Sequence, residues 1–160
     1  MAQKSKMRFF GLVCILAAML FTKHGSPAFA QGKAEPSSFN DSIAAQLLSQ
    51  LKESLQGHSQ KKLLASFDLT KMKDGALFKQ QINSFFGQTG TIRVHFNLQQ
   101  ASTEEGKGVA VLDAEMEAEA LDGNAPSLHK SMQLRLTVAP GDSGWKITDV
   151  QPRSFFSTQP

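Results

Sequence analysis

The residues with most to offer chemically are Asp68, His95 and His129, with His58 as a fourth polar position. A histidine near its ordinary pKa can move a proton at neutral pH, and a carboxylate can orient it. Asp68 with His95, or Asp68 with His129, is therefore the best acid–base pair the chain can offer. The spacing argues against more. None of these histidines stands three or four residues from another His, Cys or carboxylate on a shared helix, so no metal site is expected. Asp68 follows a helical stretch, where a lone Asp commonly caps or forms a turn. His58 falls in a connecting turn and His129 at a strand start behind Pro126. His95 shares a strand face with Arg93 and Asn97, opposite Ile92, Val94, Phe96 and Leu98, which is the pattern of a solvated face. No glycine-rich phosphate loop and no nucleophile motif accompanies them, so no cofactor is expected.

The elements that position these residues begin after an address. Lys4, Lys6 and Arg8 precede an apolar run from Phe9 to Phe21, and Pro27-Ala28-Phe29-Ala30 has the form of a cleavage site read at Ala28 and Ala30. The run is short for a membrane span. The expectation is a cleaved signal peptide over 1–30 and a periplasmic or secreted product starting at Gln31, which contacts membrane only during export. Cys14 lies in mid-run, so lipid attachment is not expected. Four of the 17 basic side chains lie in the first thirty residues with no acid among them. The remainder carries 13 basic side chains against 14 acidic ones, and the net positive charge that nucleic-acid binding uses is lost. Cys14 is the one cysteine, so the product has no disulfide and must rely on a hydrophobic core, for which about 130 residues suffice.

Residues 31–38 read as a flexible start, 39–156 as the folded domain and 157–160 as a tail. Ile43, Leu47, Leu48, Leu51 and Leu55 recur at helical spacing up to Gly57, with Ser38 and Asp41 resembling a capping pair. A short helix capped by Ser59 carries Leu63, Leu64 and Phe67. A third helix, about 76–86, carries Leu77, Phe78, Ile82, Phe85 and Phe86. The period then changes to two. Residues 91–101 alternate as a strand, and 102–108 form a hairpin loop. Residues 108–121 have helix-favouring composition, yet Ala110, Leu112, Ala114, Met116, Ala118 and Ala120 alternate strictly with Val111, Asp113, Glu115, Glu117 and Glu119. A helix would wrap those acids around its whole circumference, so a strand is expected. Residues 128–139 and 145–150 make a last hairpin around Pro140-Gly-Asp-Ser-Gly144, with Met132, Leu134, Leu136 and Val138 facing the same way as Trp145 and Ile147. Phe155 and Phe156 can fold back on the sheet. Segregated helices and strands mean an α+β fold, three N-terminal helices on a curved four-stranded antiparallel sheet.

This layout resembles the NTF2-like (SnoaL and ketosteroid-isomerase-type) superfamily. The supporting features are the long first helix, the Leu63-Leu64-x-x-Phe67-Asp68 segment, the 78–86 helix and the final Gly144-Trp145-Lys146-Ile147 strand. The resemblance implies a cone-shaped half-barrel with a pocket between sheet and helices, often dimeric through the sheet. It implies no one activity. An isomerase of this type should project acids and bases into the cone. The inward positions read from the pattern, among them Val94, Phe96, Ala114, Met116 and Leu134, cannot transfer a proton, and the chain has no tyrosine. The reading is therefore a binding protein. A hydrophobic small molecule would sit in a cone lined by Phe78, Ile82, Phe85, Phe96, Met116 and Trp145, beside an Ala-rich strand that leaves room. The alternative is an assembly module whose charged sheet face, carrying Asp113, Glu115, Glu117, Glu119 and Arg135, docks a second copy or an envelope protein.

Overall fold

The computed structural model describes residues 38–123 and 126–159. The expected signal peptide over 1–30, its expected cleavage positions Ala28 and Ala30, and the stretch expected to be a flexible start, through residue 37, lie outside the described residues. Helix α1, Asp41–Gln56, opens where Asn40 turns extended and its Oδ1 accepts from the Ile43 backbone N–H at 3.1 Å. The cap is Asn40 rather than the Ser38–Asp41 pair expected, since Asn40 puts its carbonyl oxygen beside an otherwise unpaired N–H. Ala44, Leu47, Leu48, Leu51 and Leu55 form its buried stripe. Helix α2, Gln60–Ala65, is a short connector, and α3, Gly75–Gln88, buries Phe78, Ile82, Phe85 and Phe86.

Four strands follow in a meander: β1 Thr89–Glu104, β2 Lys107–Ala120, β3 Leu128–Gly141 and β4 Gly144–Gln151. Strand β2 is a strand over its whole Ala/Glu length. Leu112, Ala114, Met116 and Ala118 are buried and the acids between them face outward. The β1–β2 loop is shorter than expected, because pairing continues to Glu104 and Lys107. Only Glu105 and Gly106 remain in the turn, both at positive φ (50° and 76°), a geometry that matches the twist of the flanking strands. Three register shifts break the simple alternation, one of them at the start of β1 between Thr89 and Ile92, and the other two change which residues face inward. One at Gln99 brings Ala101 to the inner side opposite Ala110. The other, at Thr148, brings Val150 opposite Leu136.

The open edge of β4 is partly covered by the chain leaving α2. Ile147 donates to the Ser66 carbonyl at 2.9 Å, and Asp68 donates to the Ile147 carbonyl at 2.8 Å. Just before α1, Phe39 packs on Trp145 of the same strand with ring centroids 5.2 Å apart. A Cβ on Gly108 would stand 2.4 Å from the Phe39 ring, so only glycine allows this approach. After β4 a 3-10 turn, Arg153–Phe156, returns the chain beneath the sheet.

Candidate functional site

Asp68 is a turn former. Its Oδ1 accepts from the Thr70 N–H at 3.2 Å, the Thr70 hydroxyl at 2.6 Å and the Lys71 N–H at 3.3 Å, and Oδ2 lies 3.1 Å from Lys71 Nζ. The hydrogen bonds from Thr70 and then Lys71 hold its carboxyl down to about 2. A carboxylate that resists protonation this strongly is a poor general base near neutrality. Neither proposed pair is assembled. Asp68 is tied to the edge strand β4, whereas His95 is on β1 at the opposite edge and is exposed on the outer face. His129 is 70% exposed, with Nε2 3.9 Å from Glu117. His58 has its Nε2 2.8 Å from the Thr89 carbonyl and its ring against Phe86, a structural arrangement. Among the described residues no three His, Cys, Asp or Glu gather as a metal site.

The pocket expected in the cone is occupied by the chain's own rings. Phe78, Ile82, Phe85 and Met116 are at most 3% exposed, and Phe96 and Trp145 are half-buried. Phe155 and Phe156, both buried, fill the space among them. Phe156 meets Phe78 at 5.9 Å and Phe67 at 6.3 Å between centroids, and Phe155 meets Phe96 at 6.2 Å. Trp145 turns instead to Phe39. Of the six, the described clefts take in only Phe85, in one, and Met116, in another.

The inner face nevertheless holds a group that the sequence reading missed. Lys130 lies opposite Met116 and is 9% exposed, and its Nζ donates to the carbonyls of Ser154 and Gln159, the latter at 2.9 Å. Burial lowers its pKa from the ordinary 10.5. Its register was visible: Leu128, Lys130, Met132 and Leu134 share one parity on β3. A lysine simply did not look like an inward residue.

A cleft of about 640 Å³ lies between the end of α3 and the β2–β3 connection. Ala118, Ala120, Leu121, Pro126 and Leu128 give it apolar walls, and Gln88, His129 and Thr158 give it polar edges. Leu121 is 60% exposed, one of two large apolar side chains in the described residues left so open. Nothing in the sequence marked this cleft, because its walls come from the ends of elements rather than from a periodic face.

The outer sheet face is a charge ladder. The acids of β2 stand between basic residues of β1 and β3. Arg93 reaches Glu117 and Glu119 at 3.6 and 3.8 Å, and Arg135 reaches Glu104 at 2.6 Å. A shallow concavity there is lined by Arg93, His95, Glu115, Glu117 and His129, and Met116 and Lys130 also border it.

Three helices packed on one side of a curved antiparallel meander are shared with solved structures. A Salmonella enterica serovar Typhimurium protein of the nuclear transport factor 2 (NTF2-like) superfamily superposes with a TM-score of 0.56 at 13% identity, covering 67% of this chain and 84% of that one. The fold is NTF2-like. A candidate scytalone dehydratase from Novosphingobium aromaticivorans gives 0.59 at 13% identity over 68% and 79% of the two chains. A type 2 hexachlorocyclohexane dehydrochlorinase, LinA, gives 0.53 at 11% identity over 68% and 80%. No family model and no curated protein sequence matches the chain. At these identities the likeness fixes the fold alone.

Proposed function

We propose that this chain is an exported, non-catalytic NTF2-like protein that binds a hydrophobic small molecule, and that the molecule sits in the cleft between α3 and the β2–β3 connection. The observation that carries the reading is the cleft itself. Its volume of about 640 Å³ lies in the range of small-molecule sites, and apolar walls with a few polar edges are what such sites present. Exposed Leu121 gains burial when the cleft is filled. The non-catalytic part rests on Asp68 being held in its turn and on His95 and His129 facing outward. The export part rests on the sequence of residues 1–30, and Edman sequencing of the purified protein should start at Gln31. Native mass spectrometry of protein recovered from an envelope fraction should show a bound apolar molecule, lost in Ala120→Trp, which fills the cleft, without loss of folding. A wild-type protein that carries nothing, and binds no apolar probe in titration, would count against the reading.

A second reading, docking through the outer face, is favoured by the acidic row of β2. The partner would present a basic surface, whether on an envelope protein or on a second copy. Arg93 already offsets Glu117 and Glu119 in this row, which places this reading behind the first. Cross-linking in intact cells should capture a partner that Glu115→Lys with Glu119→Lys releases. A chain that stays monomeric and uncross-linked would sink it.

A further inference from the structure

The polar rim of the cleft between α3 and the β2–β3 connection has already committed most of its donors. Thr89 gives its hydroxyl hydrogen to the Phe85 carbonyl at 2.8 Å, and Thr158 gives its own to Gln88 Oε1. A hydroxyl carries one hydrogen, so each of these oxygens keeps only lone pairs to offer. Gln88 Nε2 donates at 3.0 Å to Ser84, which lines a separate groove along α3 rather than the cleft. Ser127 can donate or accept, and His129 has a ring nitrogen 3.9 Å from Glu117.

The charge at the rim has the matching sign. Helix α3 ends at the cleft with Gly87 and Gln88, and the carboxyl end of a helix carries a partial negative charge. No basic residue stands in its last turn to offset that charge. Asp122, exposed just beyond the end of β2, adds a carboxylate to the lining. It has contacts of its own and acts on the cleft through its charge. None of the described residues lining the cleft is a lysine or an arginine. Behind this rim the walls are hydrocarbon, with Ala118 and Ala120 leaving depth and Leu121 standing 60% exposed.

Resting on the reading of the cleft as a small-molecule site, we propose that its ligand is an apolar amine. The hydrocarbon body lies on the alanines of β2 and on Leu121, and the ammonium sits at the rim with the end of α3 and Asp122. An ammonium has only hydrogens to donate and no lone pair, which suits a rim rich in acceptors. A carboxylate of the same chain is opposite in both charge and hydrogen bonding, and an alcohol lies between them.

The test compares decylamine, 1-decanol and decanoate by titration calorimetry at pH 8, where a simple alkylamine is still protonated. Salt is kept low, and each probe stays below the concentration at which it aggregates. The alcohol reports hydrophobic uptake without charge. A charge at a helix end shifts affinity about two- to fivefold, in favour of the cation and against the anion. The amine should therefore bind about tenfold more tightly than the acid, with the alcohol between. Asp122→Asn should narrow the amine-to-acid ratio about threefold, and Ala120→Trp should abolish binding of all three. Acid or alcohol bound as tightly as the amine, or a ratio that Asp122→Asn leaves unchanged, overturns the proposal and leaves the cleft reading standing. An amine preference that survives in Ala120→Trp overturns it too, since the cation would then be held by the acids of the outer face. Failure of all three probes to bind would remove the cleft reading along with it. The wild-type ranking needs no variant to fold.

Discussion

The two faces of one sheet treat charge in opposite ways. On the outer face, Arg93, Glu117, Glu119 and His129 sit in water, 43–70% exposed, with N···O separations of 3.6–3.9 Å between the facing groups. On the inner face a single ammonium, 9% exposed, is held by two carbonyls. The same strands build both, since successive side chains point to opposite sides. Outside, solvent screens each pair and a lost charge costs little. Inside, each polar group has to be compensated by a specific neighbour. The outer ladder thus serves register more than stability: a one-residue slip would turn the β2 acids into the core. The inner lysine is an expense that packing alone does not explain.

The sharpest way to test the contrast is to empty the inner side. Phe156→Ala removes a ring that is 1% exposed and touches Phe67, Phe78 and Phe155, and should cost about 3–5 kcal/mol in urea unfolding. A loss of under about 1 kcal/mol would mean that the cone collapses around the gap or that water already fills it. Lys130→Met tests the charge rather than the volume. It should leave stability at neutral pH unchanged or raised by about 1 kcal/mol, since an apolar replacement of a buried charge is commonly neutral or favourable. The pH dependence carries a sign. Because the folded pKa lies below 10.5, the unfolded chain binds more protons between the two values, and wild-type stability should rise as pH climbs through that window. Denaturation curves of Lys130→Met should lack that rise. A wild-type curve that falls there would mean the ammonium is well compensated as it stands.

How much of this was readable beforehand follows the same division. The outer face was fully legible, because strict alternation of Ala with Glu and Asp in β2 permits only a strand. Helix α3 and the closing hairpin were equally plain from their apolar periods and turn residues. The inner face was legible where it is apolar and opaque elsewhere. A bulge at Gln99 or Thr148 leaves no mark in composition, yet it decides that Ala101 and Val150 face inward. Phe155-Phe156 could be seen to return to the sheet, but the volume left for a ligand depends on where two rings end up, which no pattern encodes. Lys130 had the parity of an inward residue and the chemistry of an outward one. The cleft arises where three element ends meet, and local sequence carries no signal for such a meeting.

On the outer side the effects should be small. Arg93→Ala with Glu117→Ala in a double-mutant cycle should give a coupling of about 0.2–1 kcal/mol that shrinks in high salt. A coupling above about 2 kcal/mol would contradict the picture of a screened ladder and mean that something covers this face.

Asp68 lies between these regimes, at the edge of β4, and its contribution should show only in acid. Its carboxyl titrates at about 2 when folded against 3.8 ordinarily, so the folded state favours the charged form. Whatever stability this supplies is complete above 3.8 and disappears as pH falls through about 2. Asp68→Asn keeps an oxygen for the Thr70 and Lys71 donors and loses the ion pair with Lys71. The variant should therefore be slightly less stable than wild type at pH 7, and the two melting curves should converge on acidification toward pH 2. Binding of an apolar ligand should be the same in both. If Asp68→Asn instead abolished a turnover detected in the wild type, the carboxylate would be more than a turn former, and the edge of the sheet would replace its inner face as the place to look for chemistry.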